Sequence, residues 1–191
     1  MESIVTLWLP IVLSAVAVFL VSSVLHMVFT YHNSDYKTIP NEEKIMDDLR
    51  KYNIPPGDYM IPYQSANKDR NTPEFKEKLN KGPVMVTTVF PTGQMSMGSS
   101  LALWFLYAII VGMVCAYVVW HALIPGDHYQ YVFRFVGMTA FAGYSLALMQ
   151  NSIWYKKSWT ATLKSMLDGV IYALLTAGIF GWLWPAAAPM Q

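Results

Sequence analysis

Four stretches of this sequence are too long and too apolar to be core elements of a water-soluble domain. They run over residues 7–31, 100–123, 131–154 and 163–184, each near the roughly 20 residues a helix needs to cross about 30 Å of hydrocarbon. An open strand in lipid leaves backbone amides unpaired, so helices are the expected form. The charges agree. Of 13 basic and 12 acidic residues, 18 fall within 32–97, and the other seven are Glu2, Asp127, Arg134, Lys156, Lys157, Lys164 and Asp168. The pattern predicts an all-α integral membrane protein, a four-transmembrane-helix bundle. The first span lies within 1–31, a cytoplasmic segment covers 32–98, and the other three spans lie within 99–191.

Aromatic residues mark the expected span ends, where amphipathic rings sit at headgroup level: Trp8 and Tyr31, Trp104 and Trp120, Tyr129 and Trp154, Trp159 and Trp184. The first stretch is expected to persist as a span rather than act as a cleaved leader, because it lacks a basic start and a small-residue cleavage site. Nine of the 13 basic residues fall between spans one and two, and three more, Lys156, Lys157 and Lys164, fall in the connection between spans three and four or in the first turn of span four. By the positive-inside rule that side is cytoplasmic, which places both termini outside. The chain looks like a small multi-pass protein of the bacterial inner membrane.

The 32–98 segment carries its own local signals. Asn41 is placed to cap a helix reaching about Tyr52, with Ile45, Met46, Leu49 and Tyr52 as an apolar stripe and Pro55-Pro56-Gly57 as the stop. Thr72 and Pro73 open a second helix that ends at Gly82, with Phe75 and Leu79 on its buried side. The run between Pro83 and Pro91 reads as a strand or as an extended segment lying at the membrane surface. Two short helices and a strand bury too little to stand alone, so the segment is expected to dock on the bundle or on a partner.

Within the spans, small residues recur every four positions. Span two has Ala108, Gly112 and Ala116; span three has Thr139, Gly143 and Ala147; span four has Gly169, Ala173, Ala177 and Gly181. Such ladders let helices approach closely where lipid removes the usual hydrophobic drive. They serve packing inside this bundle or against another chain.

Polar residues in hydrocarbon are costly and point to function. His26 and Ser22 lie one turn apart on span one, Gln150 and Asn151 close span three, and Lys164 and Asp168 lie one turn apart on span four. Under the expected topology these six form a polar cluster in the inner leaflet, with Lys164 and Asp168 as a pair. His121, Asp127, His128 and Arg134 belong to the opposite end. His26 and His121 are therefore too far apart to ligate one haem, and His26 and His32, six residues apart on a continuous helix, face different ways. No catalytic or metal residue is assigned, and no motif names a cofactor. The 12 methionines are scattered and read as apolar filler rather than a copper site. Near-neutral charge without a basic tract excludes nucleic acid as partner, and the lone Cys115 excludes an internal disulfide.

Two functions fit. The first is a non-catalytic accessory or scaffold subunit of a larger membrane complex, or a self-associating chain. The alternative is a small oligomeric transporter or membrane enzyme built on the polar cluster around His26 and Asp168.

Overall fold

The computed structural model describes residues 4–65, 71–93 and 96–187. It is mostly helical, and among the described residues four helical stretches are long and apolar enough to cross a membrane: Val5–Met27, Met97–Ala122, Tyr129–Tyr155 and Trp159–Trp182. The chain divides into two compact units, residues 1–36 with 96–191 and residues 37–95.

The first unit is the helical bundle. A 3₁₀ turn, Ile4–Leu7, leads into α1, Trp8–Met27, and a second 3₁₀ turn follows at Tyr31–Ser34. Further along the chain are α4, Met97–Ala122, α5, Tyr129–Tyr144, the short α6, Met149–Tyr155, and α7, Trp159–Trp182. The core includes Val18, Val119, Val132, Val136 and Phe180, each fully buried. Large apolar residues such as Leu20, Leu103, Met138 and Leu167 stay exposed on the outer faces. That is the surface a lipid-facing helix presents.

Close approach explains the small residues. A Cβ on Gly169 would collide with Ser145 Oγ and sit 3.0 Å from the Tyr144 carbonyl oxygen, so only glycine lets α7 pass here. Gly181 receives the ring of Tyr129, whose Cε2 lies 2.6 Å from where a Cβ would be. Gly112 faces Ile11, and a Cβ at Gly143 would meet Val111 at 3.3 Å. Ala108, Ala116, Ala173 and Ala177 are buried. These residues pack against neighbours within this chain.

Two spans depart from the expected boundaries. Span one stops as a helix at Met27, one turn short of residue 31, and no glycine or proline marks the stop. Its cause is tertiary, because the residues after it are held by α7, as described below. Span three breaks at Ser145, where φ is −123° and ψ is −48°, and a 3₁₀ turn at Leu146–Leu148 precedes α6. Ser145 Oγ donates to the Met166 carbonyl at 3.0 Å, which anchors the break on α7. A four-residue ladder needs an unbroken helix. Ala147 therefore leaves the face carrying Thr139 and Gly143 and lies exposed in the 3₁₀ turn.

The second unit contains α2, Glu42–Arg50, β1, Gly57–Ile61, α3, Pro73–Lys81, and β2, Met85–Val89. Thr72 caps α3 by accepting from the Phe75 amide at 3.3 Å. Asn41 precedes α2 in a left-handed conformation, φ 54° and ψ 43°, and its side chain makes no capping bond. The unit holds two strands rather than one. β1 pairs antiparallel with β2, with Asp58 opposite Thr88, and Thr88 Oγ1 donates to Asp58 Oδ1 at 2.6 Å. Pro55-Pro56-Gly57, expected only to stop a helix, also opens β1. Within these four elements no residue is buried. Lys68, Arg70 and Met95 lie outside the described residues.

Candidate functional site

The polar residues converge where the turn after α1 meets α7. Asp168 lies ten residues into α7 and its side chain is 3% exposed. A carboxylate so placed needs partners, since burying it alone would force it to neutralise. Two come from the turn: Tyr31 donates its hydroxyl to Asp168 Oδ1, and His32 Nε2 lies 2.8 Å from Oδ2. The other nitrogen of His32, Nδ1, lies 2.6 Å from Asp35 Oδ2. His32 is thus gripped between two carboxylates.

Lys164, one turn before Asp168, completes the group. Its Nζ donates to Asp35 Oδ1 at 2.9 Å, to Ser34 Oγ at 2.7 Å and to the Tyr31 carbonyl at 2.5 Å. Irregular backbone inside a membrane protein must have its polar groups satisfied by protein or water. Lys164 supplies that for the carbonyl of Tyr31, which is how the turn can fold back against α7.

These contacts set the charge states at the turn. Burial works against a proton on His32, but the hydrogen bonds it donates to Asp35 and then to Asp168 outweigh it and raise its pKa. Asp35 is lowered, first by its hydrogen bond with His32 and then by that with Lys164. Tyr31 is raised by burial and by the carboxylate of Asp168, so it stays a donor at neutral pH. With His32 protonated, two cations face two carboxylates.

The six residues expected to share one site fare differently. Lys164 and Asp168 both belong to the cluster, but their partners lie on the 31–35 turn and they are not the expected pair. His26 lies at its edge, ring exposed and 4.7 Å from the His32 ring between centroids. The expectation that His26 and His32 face apart fails because the helix ends at Met27 and the turn carries His32 back over His26. Ser22 lies elsewhere: its hydroxyl donates to the Phe19 carbonyl and accepts from Trp104 Nε1 at 2.8 Å, joining α1 to α4. Gln150 is exposed on α6. Asn151 lines an open depression of about 330 Å³ that also includes Asp35, Lys157, Ser158 and Thr162.

In the sequence Tyr31 reads as an interfacial anchor, and His32, Ser34 and Asp35 read as part of the segment outside the bundle, so none of the four stands out as a site residue. A signal was present, since Tyr31, His32 and Asp35 sit together beside the end of a span that brings unmatched polar residues. Tyr172, one turn beyond Asp168 on α7, adds a further feature: among the described residues, its hydroxyl is a buried side-chain polar atom without a hydrogen-bond partner.

Chemically, the cluster can hold and pass a proton between two carboxylates through an imidazole, and Asp35 connects it to the open depression. Fold and site together define a mostly helical protein with four helices long and apolar enough to cross a membrane and an ion-paired cluster where the turn after α1 meets α7. No protein-family model matches the chain, and comparison with curated proteins and with solved structures finds no match. The functional reading rests on the cluster itself.

Proposed function

We propose that this is an integral membrane protein whose working part is the ionisable cluster of Tyr31, His32, Asp35, Lys164 and Asp168, serving a small transport or membrane-enzyme function that handles protons or cations. One observation carries this reading: the fully engaged carboxylate of Asp168 lies inside a span and is linked through His32 and Asp35 to an open depression. Ionisable groups in spans are expensive, and functional sites are where such cost is retained. We place it in a bacterial inner membrane, and the basic residues flanking that end of the spans support an orientation with termini outside and the cluster toward the cytoplasm.

A scaffold role keeps one supporting observation, the 37–95 unit. On α2, Met46 and Leu49 are about half exposed and Tyr52, just beyond it, is 74% exposed, so its apolar stripe is left uncovered within the unit. A two-stranded hairpin with two short helices is marginal by itself, and we read this unit as completed by a surface outside it. The small-residue ladders, by contrast, lend this role less support because they pack within the chain.

Purification from native membranes in mild detergent separates the readings. Wild type and Asp168→Asn are compared for co-purifying chains, small molecules and metals. A bound ion or small molecule lost in the variant supports the cluster as the working part. A partner chain retained equally by both, with nothing else bound, favours the scaffold.

A further inference from the structure

We infer that His26, His32 and Asp168 form a binding site for a divalent transition ion of the zinc class, with Asp35 orienting His32 from behind. This rests on the cluster being the working part and names what it would hold. One nitrogen from each histidine and one carboxylate oxygen of Asp168 all lie within 4.8 Å of one another. A tetrahedral ion with bonds of about 2.0–2.2 Å spaces its ligand atoms roughly 3.3–3.5 Å apart. His32 Nε2 and Asp168 Oδ2, now 2.8 Å apart, would open by several tenths of an ångström. His26 would close by up to about 1.5 Å to reach that spacing. Its exposed ring can make that movement without disturbing the core.

The donor set selects the ion. Two imidazoles and one carboxylate suit borderline ions and leave a fourth position open. Calcium and magnesium, which require six or more oxygen ligands or retained water, are poorly matched by a single carboxylate. The surroundings are those of a ligand site. Asp35 Oδ2 accepts a hydrogen bond from the Nδ1–H of His32 at 2.6 Å, which directs Nε2 toward the ion. Tyr31 holds Oδ1 of Asp168 and leaves Oδ2 for coordination. Lys164 is matched by Asp35, so the charge an ion would meet is that of Asp168. The three ligands come from the end of α1, the following turn and α7. A bound ion would therefore tie together three segments distant in sequence.

The test uses the full-length chain in detergent, stripped with EDTA and titrated with Zn²⁺ by calorimetry, with Co²⁺ absorbance reporting coordination. One zinc per chain is expected, with a cobalt spectrum of four or five ligands. His26→Ala should weaken zinc binding at least about tenfold, while its metal-free unfolding midpoint stays at the wild-type value because His26 is exposed. Asp35→Asn should cost about 10–100-fold in affinity. His121→Ala and His128→Ala should leave affinity unchanged. Absence of stoichiometric binding, or binding indifferent to His26→Ala, overturns the inference. A wild type that takes up no zinc but still differs from Asp168→Asn in what it carries overturns the metal site alone and leaves the proposed function standing.

Discussion

Replacing His32 and Asp168 by leucine, singly and together, tests whether the two act as one unit. Their contact is 2.8 Å, and their side chains are 18% and 3% exposed, so solvent screens it little. Asp168→Leu leaves the Tyr31 hydroxyl without its acceptor and His32 without one of its two carboxylates. Removing one member of a buried pair costs about 3–5 kcal/mol, and His32→Leu should cost a similar amount by leaving a nearly buried carboxylate with one partner. In the double variant neither group is stranded. Asp35 keeps Lys164, and the remaining loss is mainly the unsatisfied Tyr31 hydroxyl, about 1–3 kcal/mol. The double change should thus cost clearly less than the sum, with a coupling of at least about 1.5 kcal/mol. Unfolding by SDS titration in mixed micelles, followed by tryptophan fluorescence, reads all four corners. Coupling below about 0.5 kcal/mol, the level of independent sites, would mean that His32 and Asp168 do not act as one unit.

Gly169→Ala should destabilise the bundle by about 1–3 kcal/mol through overpacking against Ser145 and the Tyr144 carbonyl, whereas Gly178→Ala, whose Cβ would meet only Tyr129 Oη at 3.8 Å, should be neutral or stabilising in the same titration. In EDTA, the raised pKa of His32 gives a contribution fully present below its ordinary value of 6.5 and lost as pH rises through the folded value. The lowered pKa of Asp35 gives one present above its ordinary 3.8 and lost as pH falls through its folded value. Stability should therefore be greatest between about pH 4 and 6.5, and His32→Gln should remove the decline on the alkaline side. For orientation, Lys51→Cys in intact cells should resist a membrane-impermeant thiol reagent until the membrane is opened, and labelling from outside would reverse the topology.

The spans were legible because long apolar runs and sparse charge follow directly from the bilayer's dimensions. Thr72 and Pro73 announced α3 for a similarly local reason, a cap and a starting proline. The cluster was only half legible. Lys164 and Asp168 stood out as charges within a span, but their partners depend on where α1 stops, and nothing in Val28, Phe29 or Thr30 ends a helix. That stop belongs to contacts made with residues more than a hundred positions away, which helical periodicity cannot register. The same holds at Ser145, whose break is stabilised by Met166 and permitted by Gly169. β1 was missed because Pro-Pro-Gly ends a helix and opens a strand equally well, and only its pairing with β2 decides.

Everything proposed for the cluster depends on His32 being held between Asp35 and Asp168. Nitrogen NMR of the histidine-labelled full-length chain, metal-free at pH 6.5, addresses it most directly, because only four histidines contribute signals. Both ring nitrogens of His32 should carry protons, with the Nε2 resonance shifting in Asp168→Asn and the Nδ1 resonance in Asp35→Asn. A His32 with an unprotonated Nε2 whose resonance ignores Asp168→Asn would contradict it.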